Sequence, residues 1–271
     1  MKQKVNLIVL LDLIFLLMLG LSGSAPDGSN IMNLLYYGAF IIPFMMGSSY
    51  LVKYQLNDEF NANIRLDINR VGVNLSLPLV FPTVAGICAV AFLTNILMGM
   101  FGLSNEISYD ENLFVAILLH AAIPAVLEEM LFRYIPLNLI SENKRFAIII
   151  SSTLFAFAHM NLLSIPYALF AGLALGSVTL LTKSILPAIV IHFINNLFSL
   201  LSLYESNPIL LYSLLGIMTI LSIIVVILKR NDYVIAVKNV FAQDQTPERC
   251  YSPFIFMGIS ALIIISEFIL K

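Results

Sequence analysis

The sequence predicts an all-α polytopic membrane protein: a transmembrane bundle of about eight or nine helices around a four-helix core. Sixty per cent of the 271 residues are hydrophobic and only 11% are charged, whereas a soluble domain contains about 25% charged residues. The hydrophobic residues also occur in runs close to the roughly 20 residues that a transmembrane helix needs. Composition and run length together exclude a water-soluble globular protein.

Nine runs of the sequence are candidate transmembrane helices. They cover residues 5–21, 31–52, 79–101, 113–140, 146–161, 166–182, 185–203, 209–228 and 253–270. The first run follows two lysines and precedes Ser-Gly-Ser-Ala, a pattern that cleaved signal peptides share. Because its apolar part is longer than that of a usual signal peptide, we expect a retained helix. The count falls to eight if this helix is removed or if the last run lies flat on the membrane.

The basic residues predict the orientation of these helices. With a cytoplasmic N-terminus, every Lys and Arg falls in a cytoplasmic segment, apart from Arg133 within a span and Lys271 at the end. The opposite loops, which contain no Lys or Arg, cover residues 22–30, 102–112, 162–165 and 204–208. Cytoplasmic loops of membrane proteins are enriched in Lys and Arg. We therefore predict a multi-pass protein of the plasma membrane with its N-terminus in the cytoplasm.

The chain is predicted to form one membrane domain with three parts. Residues 1–112 supply N-terminal transmembrane helices, 113–203 form the core, and 204–271 supply C-terminal helices. The charged stretch 229–252 within the last part is interpreted as a solvated cytoplasmic linker. The loop 53–78 mixes charged residues with Asn and is expected to contain a short interfacial helix.

A few ionisable and amide side chains lie within the predicted spans. Such groups are costly in hydrocarbon, so they usually face the protein interior and serve a function. They are His120, Glu128, Glu129, Arg133, His159, His192, Asn195 and Asn196, with Asp12 and Glu267 in the first and last spans. His120 is expected to lie about 80° around the helix from Glu128, and we interpret it as a histidine with local hydrogen bonds only.

The segment LEEMLFR concentrates three charged residues in one predicted helix. Glu129 and Arg133 are four residues apart, which predicts an ion pair on one helix face. Glu128 lies about 100° from Glu129, so the two carboxylates are not expected to reach one spot, and Glu128 should face a cavity. Pro124 has no N–H for the carbonyl four residues earlier, which predicts a kink. Taken without the rest of the sequence, this segment is explained equally well by an ion pair with a purely structural role.

Two later helices carry polar residues at helical spacing. FAFAH places Phe155 and His159 on one face, and HFINN places His192 and Asn196 on one face. A rise of about 1.5 Å per residue puts these polar groups and Glu128 about 10–20 Å from the cytoplasmic ends of their spans. We therefore expect the four polar side chains to meet around one buried, hydrated cavity.

The helix predicted over 166–182 repeats small residues at Ala168, Gly172 and Gly176. Small residues four apart allow two helix backbones to approach closely. We interpret these three positions as packing residues that keep the core compact.

One carboxylate, two imidazoles and an amide around a wet cavity suit the hydrolysis of a peptide bond. A glutamate can take a proton from water that a neutral histidine orients. A second histidine and an asparagine can donate hydrogen bonds to the oxyanion that forms when water attacks the carbonyl. Alternatively, Glu128, His159 and His192 are ligand types for Zn²⁺, with one position left for water. The sequence contains no serine nucleophile elbow, Gly-rich phosphate loop or HExxH motif.

The order of three motifs resembles the CPBP family, which joins CAAX proteases and bacteriocin-processing enzymes and is also called the Abi family. The motifs are EExxxR ending at Arg133, FxxxH ending at His159, and HxxxN ending at Asn196. The resemblance covers roughly residues 113–203 and implies an intramembrane endopeptidase related to the type II CAAX prenyl endopeptidase. The flanking helices match only in being hydrophobic.

The resemblance also implies a role for each motif residue. Carried over, the water-activating pair is Glu128 and His159, the oxyanion site is His192 and Asn196, and the supporting pair is Glu129 and Arg133. Members of the family are commonly classed as metalloproteases. The sequence leaves open whether Zn²⁺ activates the water or whether the glutamate and histidines do so without a metal.

The partners implied are the lipid bilayer and a membrane-associated peptide or protein substrate, with or without a prenylated tail. Family members are linked to bacteriocin immunity and to sensor kinases, so a bacteriocin peptide or a kinase is a candidate partner, and nothing indicates nucleic acid. One alternative is a non-catalytic immunity factor or regulatory membrane protein. Another is a secondary transporter with Glu128 as a proton relay, which predicts inverted repeats that the sequence does not show.

Overall fold

The computed structural model describes residues 1–22, 39, 42–55, 64, 66, 70–102, 112–204, 208–242 and 251–270. Over these residues the chain is all-helical, which confirms the predicted fold class at that level. The helices are α1 (Lys2–Ser22), α2 (Ile42–Gln55), α3 (Arg70–Met100), α4 (Leu113–Leu139), α5 (Lys144–Ala158), α6 (Ile165–Thr182), α7 (Leu186–Tyr204), α8 (Pro208–Phe241) and α9 (Ser252–Leu270).

Five helices among the described residues are long and apolar enough to cross a membrane. They span Pro78–Met100, Leu113–Leu139, Ile165–Thr182, Leu186–Tyr204 and Ile209–Val240. Each overlaps a predicted run, so a multi-pass membrane protein is confirmed. Helix α5 has only 15 residues and ends before His159, so it is shorter than the run predicted at 146–161. The total of eight or nine spans stays a prediction.

The helix core is larger than the four helices predicted over 113–203. Helix α6 packs against both α5 and α3, and α7 packs against α3, α4 and α6. Helix α3 precedes the predicted core in sequence but lies against two of its members and against α8. The cavity described below is therefore enclosed by α3 as well as by the predicted core helices.

The small residues of α6 allow it to approach α5 closely, as predicted. A Cβ atom added at Gly172 would lie 2.8 Å from the Cβ and 2.9 Å from the Cα of Ser152. A Cβ added at Gly176 would be 3.4 Å from the nearest atom of Ile148, and Ala168 is fully buried. The packing interpretation is confirmed, because only glycine fits against the α5 backbone at residue 172.

Helix α4 contains two wide, π-helical turns, at Ile117–Ala122 and Met130–Tyr134. Each turn is followed two residues later by a proline, Pro124 or Pro136, which has no N–H for the carbonyl four residues earlier. The disturbance predicted at Pro124 thus takes the form of a wide turn, a feature often found at functional sites. The carbonyl of Phe132, to which Pro136 cannot donate the usual helical hydrogen bond, accepts a hydrogen bond from the hydroxyl of Ser151 in α5.

Helix α8 continues well past the span predicted at 209–228. It runs on to Phe241, so the prediction of a linker from residue 229 is wrong as far as residue 241. This stretch contains no Gly or Pro that would stop a helix, and Lys229 pairs with Asp232 one turn later at 3.2 Å. Thirty-four residues make a helix of about 50 Å, longer than the roughly 30 Å hydrocarbon core, so α8 extends beyond that core.

The loop predicted at 53–78 is helical at both of its ends. Its first three residues belong to α2 and its last nine belong to α3. Residues 56–63, 65 and 67–69, where an interfacial helix was expected, lie outside the described residues, as do residues 23–38, 40 and 41 of the preceding loop and span.

Helix α1 forms over the run predicted at 5–21 and packs on α9 and on the end of α4. Lys4 donates a hydrogen bond to Glu142 in the loop between α4 and α5. Burial raises the pKa of Glu142, but the hydrogen bond and the charge of Lys4 outweigh it, so the net pKa lies below its ordinary value. This ion pair therefore attaches the N-terminal helix to the core.

Candidate functional site

A cavity of about 300 Å³ lies where α3, α4, α6 and α7 meet the end of α5. The four residues expected to converge all line it: Glu128, His159, His192 and Asn196. They come from three different elements, and the bundle brings them together as the sequence analysis expected. The chemical roles assigned to them remain predictions.

Glu129 and Arg133 form the predicted ion pair, and it is fully buried. Arg133 Nη1 donates to Glu129 Oε1 at 2.8 Å, and both side chains have 0% exposure. The same carboxylate oxygen lies 2.8 Å from His192 Nδ1. Because a carboxylate oxygen accepts, this contact places a proton on Nδ1 of His192. The sequence did not indicate this bond, since its partners are 63 positions apart.

Glu128 faces the cavity, with 23% of its side chain exposed. Its Oε2 atom lies 3.8 Å from His192 Nε2. The adjacent carboxylates of Glu128 and Glu129 therefore lie beside different nitrogens of one imidazole, so they do not reach one spot but have His192 as a common neighbour. A separation of 3.8 Å is too long for a direct hydrogen bond, and a water molecule can bridge such a gap.

His159 is the first residue after α5, is exposed, and lines the cavity. Its Nδ1 atom lies 2.9 Å from the carbonyl oxygen of Phe155. Because a carbonyl oxygen accepts, Nδ1 carries a proton, and in a neutral imidazole Nε2 then has a free lone pair. Helix α5 ends here because the next residue, Met160, takes a left-handed conformation with φ of 50°. The exposed ring can therefore accept a hydrogen from a water molecule in the cavity.

Phe155 of the FxxxH motif packs against three polar side chains of the site. Its ring stands edge-on to His159 and to His192, with centroid distances of 4.8 and 5.8 Å. The guanidinium carbon of Arg133 lies 4.1 Å from the centroid of the same ring, a distance typical of a cation–π contact. One aromatic ring thus packs against both histidines and the buried cation.

A network of hydrogen bonds around the Asn195 amide, which the sequence did not predict, extends the site towards α6. Asn195 Nδ2 donates to the hydroxyl of Tyr167 and, at 3.4 Å, to Oδ1 of Asn196. The thiol of Cys88 in α3 donates to Asn195 Oδ1 at 3.9 Å. Asn195 follows His192 by three residues, and that spacing could have placed it near the same helix face. Tyr167 gave no signal, because it stands alone in an apolar helix that we assigned to packing.

His120 also lines the cavity, in contrast to the expectation that it lies well away from Glu128. It belongs to the first π-helical turn of α4. Each residue of a π-helical turn rotates the chain by less than an α-helical residue does, so the 100° rule overestimates the angle between His120 and Glu128. The wide turn therefore accounts for this error.

A second, smaller cavity of about 60 Å³ adjoins the first. Glu128 and His159 line both cavities, and the small one is completed by Phe15 of α1 with Phe132, Phe155 and Ala158. Since a cavity of about 10–15 Å³ is enough to hold a water molecule, this space can hold water beside the two residues expected to activate it.

The described residues do not form a metal site in this arrangement. No group of three or more His, Cys, Asp and Glu side chains among them is placed to hold one ion. Glu128, His159 and His192 have suitable ligand types, but Zn²⁺ requires such ligands to converge on one point at about 2.0–2.2 Å. The steps proposed below are accordingly carried by the side chains themselves.

Comparison with known families agrees with the motif reading. Residues 110–198, about a third of the chain, match a family model described as Type II CAAX prenyl endopeptidase Rce1-like. This segment is similar to that family. The matched residues include the three motifs and most of the cavity lining, so the resemblance to CAAX proteases is confirmed for this segment, and at a coarse level it supports a protease. No curated protein and no solved structure matches the chain.

Proposed function

We propose that the protein is an intramembrane endopeptidase that hydrolyses a peptide bond of a membrane-associated peptide or protein. The observation that carries this proposal is the 300 Å³ cavity, which collects a carboxylate, two histidines and an amide from three elements of an Rce1-like core. The match to a family model for CAAX endopeptidases makes a peptide with a CAAX-type C-terminus the first substrate to test.

Water activation is assigned to Glu128 and His159. Both line the large and the small cavity, so one water molecule between them can contact both side chains. The Glu128 carboxylate takes a proton from this water while Nε2 of His159 accepts the other hydrogen and fixes its direction. The water oxygen then bonds to the peptide carbonyl carbon, and Glu128 returns the proton to the leaving amine as the C–N bond breaks.

The oxyanion is assigned to His192 and Asn196. Asn196 Oδ1 accepts from Asn195, which leaves the Asn196 amide hydrogens for a ligand in the cavity. His192 already donates from Nδ1 to Glu129, so a second hydrogen bond, from Nε2 to the oxyanion, requires the imidazolium form of the ring. Fixed donors of this kind stabilise the charge that develops on the carbonyl oxygen.

The test compares the wild-type protein with Glu128→Ala and His159→Ala at equal abundance in proteoliposomes. The substrates are quenched fluorescent peptides that end in a CAAX sequence, with and without a farnesyl group on the cysteine. Loss of a positioned acid–base group should lower cleavage about 10²–10⁴-fold. Asp232→Ala, in an exposed ion pair on α8, is the matched control and should retain full activity.

Full activity in either cavity variant would end the assignment of that residue. Repetition of the wild-type assay in a chelator shows whether a metal ion is required. N-terminal proteomics of membranes with wild-type or Glu128→Ala protein identifies natural cleavage sites. If bacteriocin protection persists undiminished in the Glu128→Ala strain, a binding role replaces the catalytic one.

A further inference from the structure

Tyr167 supplies a polar group that the proposed mechanism does not yet use. Its hydroxyl accepts a hydrogen bond from Asn195 Nδ2, and the residue lines the large cavity. Among the described residues no group accepts the proton of this hydroxyl. A tyrosine hydroxyl can donate one hydrogen bond as well as accept, and enclosed polar groups are almost always paired. The unpaired proton therefore points to an acceptor within the cavity.

The Asn195 amide holds two neighbouring groups in matching orientations. Its Nδ2 atom donates to the Tyr167 hydroxyl and to Asn196 Oδ1, while its Oδ1 atom accepts from the thiol of Cys88. Since both contacts use acceptor atoms of Tyr167 and Asn196, the donor hydrogens of these two residues are directed away from Asn195. One amide thus prepares a hydroxyl from α6 and an amide from α7 to donate to the same ligand.

We propose that Tyr167 is a further oxyanion donor, whose hydroxyl donates to the scissile carbonyl oxygen alongside Asn196. The inference rests on the proposed function and adds a residue outside the three motifs. Tyr167 is in the first turn of α6, and the contact of Gly172 with Ser152 holds that helix against α5. The donor is therefore placed by rigid helix packing, which is what stabilisation of a developing charge requires.

The experiment uses Tyr167→Phe in the full chain, which removes the hydroxyl and keeps the ring. In the peptide assay kcat should fall about 10²–10³-fold, the loss typical of one oxyanion donor, while KM stays within about twofold because the ground-state carbonyl is bound weakly. Tyr212→Phe removes a hydroxyl from an exposed tyrosine of α8 and should match the wild type.

A second measurement separates a catalytic from a structural role. A peptide phosphinate, whose tetrahedral anion mimics the intermediate, should bind Tyr167→Phe more weakly by the same factor as the loss in kcat/KM. The thermal unfolding temperature of the variant in detergent should remain that of the wild type.

The outcomes distinguish this inference from the proposed function. Full activity of Tyr167→Phe beside an inactive Glu128→Ala protein overturns the inference alone. A rise in KM without a fall in kcat, or a loss of activity that follows a loss of thermal stability, also overturns it. A wild-type protein that cleaves none of the peptides overturns both.

Discussion

Helices α6 and α8 are both long and apolar, yet they occupy opposite environments. Half of the most apolar stretch of α6 is buried inside the protein, compared with 6% of that of α8. The exposed stretch of α8 is nevertheless the more hydrophobic of the two stretches. In a bilayer the outer surface must be apolar, whereas the interior can hold small and polar residues that pack and hydrogen-bond. Tyr167 and Gly172 therefore belong to α6, while α8 presents Ile and Val side chains.

The ion pairs of the core and of α8 show the same contrast. Glu129 and Arg133 are four residues apart and fully buried, and Lys229 and Asp232 are three apart with about half of each side chain exposed. Both pairs follow from helical spacing, but only the buried one has a second partner, His192. Similar local spacing thus gives a buried pair in one helix and an exposed pair in the other. Three matched pairs of substitutions, each with one member in the core and one on α8, can test the difference between the two regions.

The largest effect is expected from the buried ion pair. Arg133→Met should lower the free energy of unfolding by about 3–5 kcal/mol, because it leaves the buried Glu129 carboxylate without its cation. Lys229→Met breaks an exposed pair and should cost about 0–1 kcal/mol. Denaturant titration of both variants in detergent micelles measures the two values. Similar costs for the two variants would remove the distinction between the buried and the exposed pair.

An intermediate effect is expected from the glycines. Gly172→Ala should destabilise the protein by about 1–3 kcal/mol, because the added methyl group meets the backbone of Ser152. Gly216→Ala on α8 has no atom within 4 Å of the new methyl group, so the higher helix propensity of alanine should add up to about 1 kcal/mol. Opposite shifts in the thermal unfolding temperature are expected, and a stabilising Gly172→Ala would show that α5 and α6 do not pack so closely.

The smallest difference is expected from two hydroxyl groups that donate to helix carbonyls. Ser151→Ala removes the donor to the carbonyl of Phe132, to which Pro136 cannot donate, and should cost about 1–3 kcal/mol because both residues are buried. Thr219→Val removes a donor to Leu215 on the exposed face of α8. That carbonyl keeps its helical bond, so a change within about 0.5 kcal/mol is expected. Unfolding titrations that give equal costs would contradict the role of Ser151 as a substitute donor.

Local sequence rules succeeded wherever one helix decides the outcome. The Glu129–Arg133 pair, the orientation of Glu128 towards a cavity and the close approach at Gly172 all follow from residues spaced along a single helix. The predictions were wrong where a helix departs from ideal α-helical geometry and where the end of a helix had to be located. His120 was misplaced because a π-helical turn changes the rotation, and α8 was ended at residue 228 because charged residues were read as a loop.

The sequence by itself determined that the chain lies in a lipid bilayer, that it is helical, and which polar residues must be shielded from lipid. These properties follow from composition and from the spacing of residues along the chain. Tertiary structure alone decided that one imidazole lies between Glu128 and Glu129, and that the Tyr167 hydroxyl meets Asn195. Such contacts join side chains on different helices. Their distances depend on how close two backbones come and how each helix is rotated, and these quantities are settled only when the whole bundle packs.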